Sequence, residues 1–187
     1  LSDVFNITFG NVAATSMDIF FDYTDLSFLT INRIMFVDDV IKSNTINTYS
    51  KPIQLPIQQN ELLIDTGYQY YITAYNNENI AGRTEISDIQ YTISAVSNVV
   101  FFNIYSYSLD INFDSTNFSS ISIKIKSIGI PDVIYNYFKP IILPIHFINL
   151  KPDTTYQIEI TPYNHSGLQG SIFYSDEVVI KVIFSYL

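Results

Sequence analysis

The chain of 187 residues is built from one unit written twice. Tyr49-Ser50-Lys51-Pro52-Ile53-Gln54-Leu55-Pro56-Ile57 returns 88 positions later as Tyr137-Phe138-Lys139-Pro140-Ile141-Ile142-Leu143-Pro144-Ile145. The same offset carries Tyr68-Gln69 onto Tyr156-Gln157, Tyr75-Asn76 onto Tyr163-Asn164, and Ser87-Asp88 onto Ser175-Asp176. Towards the N-terminus the offset becomes 92 and lays Ser16-Met17-Asp18-Ile19-Phe20-Phe21-Asp22 over Ser108-Leu109-Asp110-Ile111-Asn112-Phe113-Asp114. The second copy therefore lacks four residues, somewhere between Ile123 and Tyr135. Self-similarity at a fixed period fixes the organisation before any local reading. It predicts two domains, 1–94 and 95–187, each of a size that folds only with a well-filled core.

Within each copy the apolar residues recur every second position. Met17, Ile19 and Phe21 alternate with Asp18, Phe20 and Asp22; Leu109, Ile111 and Phe113 alternate with Asp110, Asn112 and Asp114. Ile121, Ile123 and Ile125 alternate with Ser122, Lys124 and Lys126, and Tyr156, Ile158 and Ile160 with Gln157, Glu159 and Thr161. A period of two is the mark of a strand with one buried face. Composition agrees: 31 Ile, 15 Tyr and 14 Phe stand against only 5 Ala, a β-forming and helix-poor mixture. No window shows a helical period. The fold class read from these patterns is all-β: two consecutive seven-stranded antiparallel β-sandwiches. Asp18, Asp22, Asp110 and Asp114 are expected on the exposed side of their strands, as solubilising and edge-protecting charges.

One stretch carries a resemblance. Leu150-Lys151-Pro152-Asp153-Thr154-Thr155-Tyr156-Gln157-Ile158-Glu159-Ile160-Thr161-Pro162-Tyr163-Asn164, with Ser166-Gly167 after it, resembles the E–F corner, F strand and F–G loop of a fibronectin type III domain. Leu62 to Asn76 repeats it in copy one. The resemblance implies an immunoglobulin-like sandwich for each copy. It places Tyr68 and Tyr156 as core pins whose hydroxyls bond backbone in the corner, expected here as donors. The family's B-strand tryptophan is absent, since the chain has no Trp, and Phe21 and Phe113 stand in its place. Both rings are expected in the core.

Charge and residue usage exclude most chemistries. Nine Lys and Arg against 18 Asp and Glu give a net charge of −9, which offers nucleic acid no basic footprint. Without Cys there is no thiol nucleophile, disulfide or Cys-ligated zinc. The only histidines, His146 and His165, lack a partner at ligand spacing and read as structural. No phosphate loop or nucleophile elbow occurs. Asp38-Asp39 is the one adjacent acidic pair, a weak candidate for an ion site. Sequons at Asn6, Asn117 and Asn164 are no more than chance supplies. No catalytic residue, cofactor or metal is expected, and no apolar run is long enough for a membrane helix.

What remains is surface. The F–G loops, read as Asn76–Thr84 and Asn164–Gly170, are the expected partner contacts, through Asn77, Asn79 and Arg83 in one copy and His165, Leu168 and Gln169 in the other. Surplus tyrosines (Tyr71, Tyr75, Tyr105, Tyr107, Tyr135 and Tyr137) offer a stacking face for protein or glycan. The reading is a non-catalytic structural or adhesive spacer or protein-interaction module. It would serve other proteins of a larger extracellular, cell-surface or virion assembly. The virion setting is suggested by the AT-rich codon bias behind the abundant Ile, Asn, Tyr and Phe. The alternative is a carbohydrate-binding or spacer accessory module of a secreted polysaccharide-degrading enzyme. The N-terminal residues show no basic stretch leading into an apolar one, so targeting signals are expected elsewhere in a longer protein.

Overall fold

Met17, Ile19 and Phe21 are turned inward together on one strand, and Leu109, Ile111 and Phe113 on its counterpart; all six are nearly or wholly buried. The structure, a computed structural model, describes residues 2–37, 40–114 and 118–182. Asp38-Asp39 and the sequon at Asn117 lie outside the described residues. The chain divides into two compact units, Leu1–Thr92 and Ile93–Leu187. Among the described residues every regular element is a strand.

Unit one contains β1 (Val4–Gly10), β2 (Met17–Tyr23), β3 (Phe28–Val37), β4 (Val40–Ser50), β5 (Ile57–Gln59), β6 (Gly67–Tyr75), β7 (Ala81–Ile86) and β8 (Gln90–Tyr91). One sheet runs β1-β2-β5. The other runs β4-β3-β6-β7, with β8 also on β6. Unit two repeats this with β9 (Ser97–Tyr105), β10 (Ser108–Asp114), β11 (Ser120–Ser127), β12 (Ile130–Phe138), β13 (Ile145–Phe147), β14 (Thr154–Tyr163), β15 (Phe173–Tyr174) and β16 (Val178–Ile180). Its sheets are β13-β10-β9 and β12-β11-β14-β15, with β16 on β14. Among the described residues these strands all pair antiparallel, and one isolated parallel bridge joins Ala95 to Ser171.

Seven strands per unit is the correct count once the last is seen to be broken. Both β7 and β8 pair with β6, and both β15 and β16 with β14. A serine bridges each break. The Tyr70 N–H donates to Ser87 Oγ at 3.0 Å, and that hydroxyl donates to the Asp88 carbonyl at 2.7 Å. The Ile158 N–H, Ser175 and Asp176 repeat this at 2.9 and 2.6 Å. A backbone donor that would be buried and unpaired at the interruption is thus satisfied, which explains the repeated serine; the aspartate contributes only its backbone carbonyl.

The four missing residues are two rungs of one hairpin. β3 and β4 have 10 and 11 residues; β11 and β12 have 8 and 9. Each strand is two residues shorter, one full side-chain period, so inward positions stay inward. Glycine is required where strand and N-terminal segment meet. A Cβ on Gly82 would stand 1.7 Å from the Ser2 carbonyl oxygen, and on Gly170 1.9 Å from that of Ser94.

Two of the four aspartates correct the sequence reading, while Asp22 is exposed as expected. Asp18 and Asp110 are buried, 7% and 6% exposed. The first strand of each unit carries, or is directly followed by, asparagines with φ of +46° to +56°: Asn6 and, just past β1, Asn11 in unit one, Asn98 and Asn103 in unit two. Asn6, Asn98 and Asn103 fall where the register shifts by one residue, as at a β-bulge. Asn tolerates this left-handed conformation better than most residues. Asn11 Nδ2 donates to Asp18 at 2.6 Å, Asn103 Nδ2 to Asp110 at 2.8 Å, and Asn6 Nδ2 to Asp22 at 2.8 Å. These carboxylates pin the kinked first strand to the second. The Asn6 sequon amide is one of those pins. Asn164, 2% exposed, is folded into its own turn.

Tyr68 and Tyr156 sit in the corner, 2% and 5% exposed, but their hydroxyls accept: the Leu63 N–H donates to Tyr68 and the Lys151 N–H to Tyr156, each at 2.8 Å. The donor role assigned from sequence is reversed because the corner presents an orphan N–H. Burial raises the Tyr68 phenol above its ordinary pKa. Tyr70, fully buried, has a hydroxyl with no hydrogen-bond partner; Ile158 holds that position in unit two.

Phe113 is 4% exposed, with Phe118 at 5.9 Å between ring centroids, so Phe113→Ala is expected to cost about 3–5 kcal/mol by cavity formation, read from denaturant unfolding. The two tyrosine hydroxyls should behave oppositely. Tyr156→Phe strands the Lys151 N–H and is expected to lose about 0.5–1.5 kcal/mol. Tyr70→Phe deletes an unpaired hydroxyl and is expected to hold or raise stability; a loss like that of Tyr156→Phe would show that Tyr70 has a partner.

Candidate functional site

The expected loops are smaller than the sequence suggested. Residues 76–80 close a tight turn in which Asn76 Oδ1 accepts the N–H groups of Glu78 and Ile80, both at 2.9 Å, with Asn79 at φ +61°. Asn164 does the same for Leu168 at 2.8 Å, with Gly167 at φ +78°. Asn77, Asn79, His165, Leu168 and Gln169 are exposed on these tips. Arg83 is not in the loop. It lies within β7, where its backbone N–H donates to Asp3 at 3.2 Å. Each tip offers a rigid but small surface.

The surplus tyrosines do not converge. Tyr105 and Tyr107 flank the β9–β10 turn, and Tyr135 and Tyr137 lie on the edge strand β12. Only Tyr71 and Tyr75 share a broad face, the outer side of the β4-β3-β6-β7 sheet. Ile72 and Ala74 of β6 are buried, so alternation turns Gln69, Tyr71, Thr73 and Tyr75 outward.

Across the sheet this face is built of aligned rungs. One reads Ile46–Asn32–Tyr71–Ile86, the next Thr48–Thr30–Thr73–Thr84. Thr73 and Thr84 share a hydroxyl hydrogen bond at 2.7 Å. A third reads Ser50–Phe28–Tyr75–Ala81, with the Phe28 and Tyr75 rings stacked at 4.5 Å. Asn44–Ile34–Gln69 completes it. Ile46 and Ile86 are 63% and 52% exposed. None of these residues is charged, although copy one, residues 1–95, carries eleven acidic and four basic residues. Arg33 and Glu85 pair across from the inward Tyr70 and Ile72.

Unit two supplies the contrast. The rung matching Ile46–Asn32–Tyr71–Ile86 is Ile134–Lys124–Glu159–Tyr174. Lys126 donates to Glu159, and Lys124 lies 3.6 Å from it. The Lys126 ammonium, with Lys124 adding to it, holds the Glu159 carboxyl below its ordinary pKa. Charge on an exposed sheet face is the usual state; unit one has replaced all three ions with Asn32, Ile34 and Tyr71.

A second cluster bears on catalysis. His146 Nδ1 meets Asp110 Oδ1 at 2.5 Å, a pairing that sequence spacing did not reveal because β10 and β13 bring the two together. In unit one the clamp Asn11–Asp18 stands with Gln58 in the histidine's place, paired across from Asp18. The carboxylate serves the strand clamp in both units, and the imidazole is an addition to it. Asn103, foremost, and His146 hold the Asp110 carboxyl below its ordinary pKa. Among the described residues no group of three or more acidic, His or Cys side chains could hold a metal ion.

Because the folded pKa of Glu159 is depressed, its contribution is present above its unfolded value, about 4.3, and is lost as pH falls through the folded value. Thermal unfolding followed from pH 6 down to pH 2 is therefore expected to lose part of its acid limb in Glu159→Gln. An unchanged acid limb would place the stabilising charge elsewhere.

No protein-family model matches the sequence, and no curated protein is similar to it. Among solved structures it is similar to a two-domain fibronectin type III segment of chicken tenascin, at 10% identity and a TM-score of 0.63, covering 93% of this chain and 97% of that one. It also aligns with the FN1–FN3 domains of chicken CNTN1, at 15% identity and a TM-score of 0.40, covering 94% of this chain and 65% of that one. With three- and four-membered sheets, a tyrosine in each corner and this likeness over nearly the whole chain, the protein is two fibronectin type III-like β-sandwich domains in series.

Proposed function

We propose that this chain is a non-catalytic interaction module that binds a protein partner through the outer face of the β4-β3-β6-β7 sheet. The observation that carries this reading is the loss of every charge from that face in a unit that is otherwise strongly acidic. An uncharged surface rich in Ile, Phe and Tyr, with Thr, Asn and Gln hydroxyls and amides between them, has the composition of an interface core. Tyr71 and Tyr75 are rigid amphipathic anchors of the kind that concentrate binding energy. The tight loop tips can add contacts at one end of the sheet. Such a module fits a structural or adhesive role within a larger surface, extracellular or virion assembly.

The test uses the complete protein in its native setting, with a photo-crosslinking phenylalanine analogue placed at Tyr71. Crosslinking to a single protein species, lost when Ile46→Lys is added, is the expected outcome. The same analogue at Lys124 in unit two should give no such product. Absence of a Tyr71-dependent product would overturn the reading. So would binding of a neutral glycan on an array that is lost in Tyr71→Ala, which would move the face to carbohydrate recognition.

A further inference from the structure

The β12 edge is unlike its counterpart. Both β4 and β12 end their sheets, so each presents unpaired backbone groups. On its inner face β12 sets the Tyr135 ring 5.2 Å from that of Phe147 on β13 and Tyr137 against the core, while Ile134 and Asn136 of its outer face are exposed. Along β4, Thr45, Asn47 and Ser50 are polar and Lys42 guards the start. At the matching positions β12 carries Val133, Tyr135 and Phe138. Val133, Ile134, Tyr135 and Phe138 are 45%, 54%, 37% and 73% exposed. Val133 to Phe138 holds no charge, Pro or Gly, the composition that pairs with another strand.

The hydrogen-bond phase of this edge follows from its inner side. The Lys139 N–H donates to the Ser119 carbonyl at 3.2 Å, in register with Ile121↔Tyr137, Ile123↔Tyr135 and Ile125↔Val133. Bonded and non-bonded pairs alternate in an antiparallel ladder, so Val133, Tyr135 and Tyr137 spend their backbone groups on β11. The N–H and C=O groups of Ile134, Asn136 and Phe138 point away from the sandwich. Val133 and Tyr135 also line an apolar hollow of about 460 Å³ with Ile125, Ile148 and Leu150.

We infer that β12 pairs antiparallel with β12 of a second copy of this chain, centred on Tyr135. This centre satisfies the phase: Ile134 bonds Asn136 of the other copy, twice by symmetry, and Tyr135 faces Tyr135 as a non-bonded pair. Val133 then lies across from Tyr137, a β-branched and aromatic combination that favours pairing. Charge fits the same register. The strand's only anion, Asp132, lies opposite Phe138 and not its own copy. It is one rung from the other copy's Lys139. The contact is isologous, so it closes at two copies.

Sedimentation equilibrium of the intact chain is expected to give twice 21.4 kDa in the micromolar range. Ile134→Lys should abolish the dimer with the circular dichroism unchanged, while Ile46→Lys on β4 should leave it intact. The chain has no cysteine, so Tyr135→Cys is a clean register probe. Its Cα atoms would lie about 4.5 Å apart, within disulfide reach, and air oxidation should yield a covalent dimer. Ile128→Cys, at the fully exposed hairpin tip, should not. A monomer throughout that range, a dimer that survives Ile134→Lys, or equal crosslinking from Ile128→Cys would each overturn the inference.

Discussion

Side-chain parity governs this molecule. Two sheets share each core, and every strand between them must send alternate residues inward. A shift of one residue would expose a whole set of Ile, Leu and Phe. The fully buried residues of β2, β3 and β6, and of β10, β11 and β14, obey this without exception. Where the β3–β4 and β11–β12 hairpins differ in length, they differ by two residues per strand, the smallest change that keeps parity. Where a single extra residue does enter, at the first strand, the register breaks and an asparagine takes the left-handed conformation. At Asn6 and Asn103 a carboxylate on the neighbouring strand, exposed Asp22 in one unit and buried Asp110 in the other, then holds the break.

That constraint decides what was legible in the sequence. Period-two patterning exposes inward residues directly, so the strand faces, the core phenylalanines and the repeat could be read. Sequence does not show which polar residues meet across strands. Asp18 and Asp110 alternate with core residues and so read as solvated. They are buried because Asn11 and Asn103 fold over them from seven residues away. Asp110 and His146 are 36 residues apart and meet only because β10 and β13 pair. The tyrosine corner was recognisable by its spacing. The direction of its hydrogen bond was not, since that depends on which corner N–H lacks another acceptor.

The outer sheet faces were harder still. Tyr71 was visible as one of six surplus tyrosines, but its partners come from three other strands. Ile46, Asn32 and Ile86 have no proximity in sequence and become one surface only through the ladder register. An uncharged face also gives no local signal, because every strand interrupts its charges with core residues. It is legible only against a reference, and the second copy is that reference.

Two copies of one fold separate what the sandwich needs from what it does not. Positions that match are those with a structural duty: the corner tyrosines, the Ser-Asp bridges, the Asn-Asp clamps, and Gly82 with Gly170. The fold itself does not require Lys124, Lys126 and Glu159, although their ion pairs add stability, since unit one folds the same sheet with Asn32, Ile34 and Tyr71. Thr45, Asn47 and Ser50 have none either, since unit two builds the same hairpin from Val133, Tyr135 and Phe138. Unit one thus lacks charge on its outer sheet face, and unit two carries apolar residues along the edge strand where unit one has polar ones. Exposing Ile, Val and aromatic side chains to water is unfavourable for a free domain. These two exposures, at different sites and on scaffolds able to fold with polar residues there, are what the proposed partner face and the proposed strand pairing each rest on.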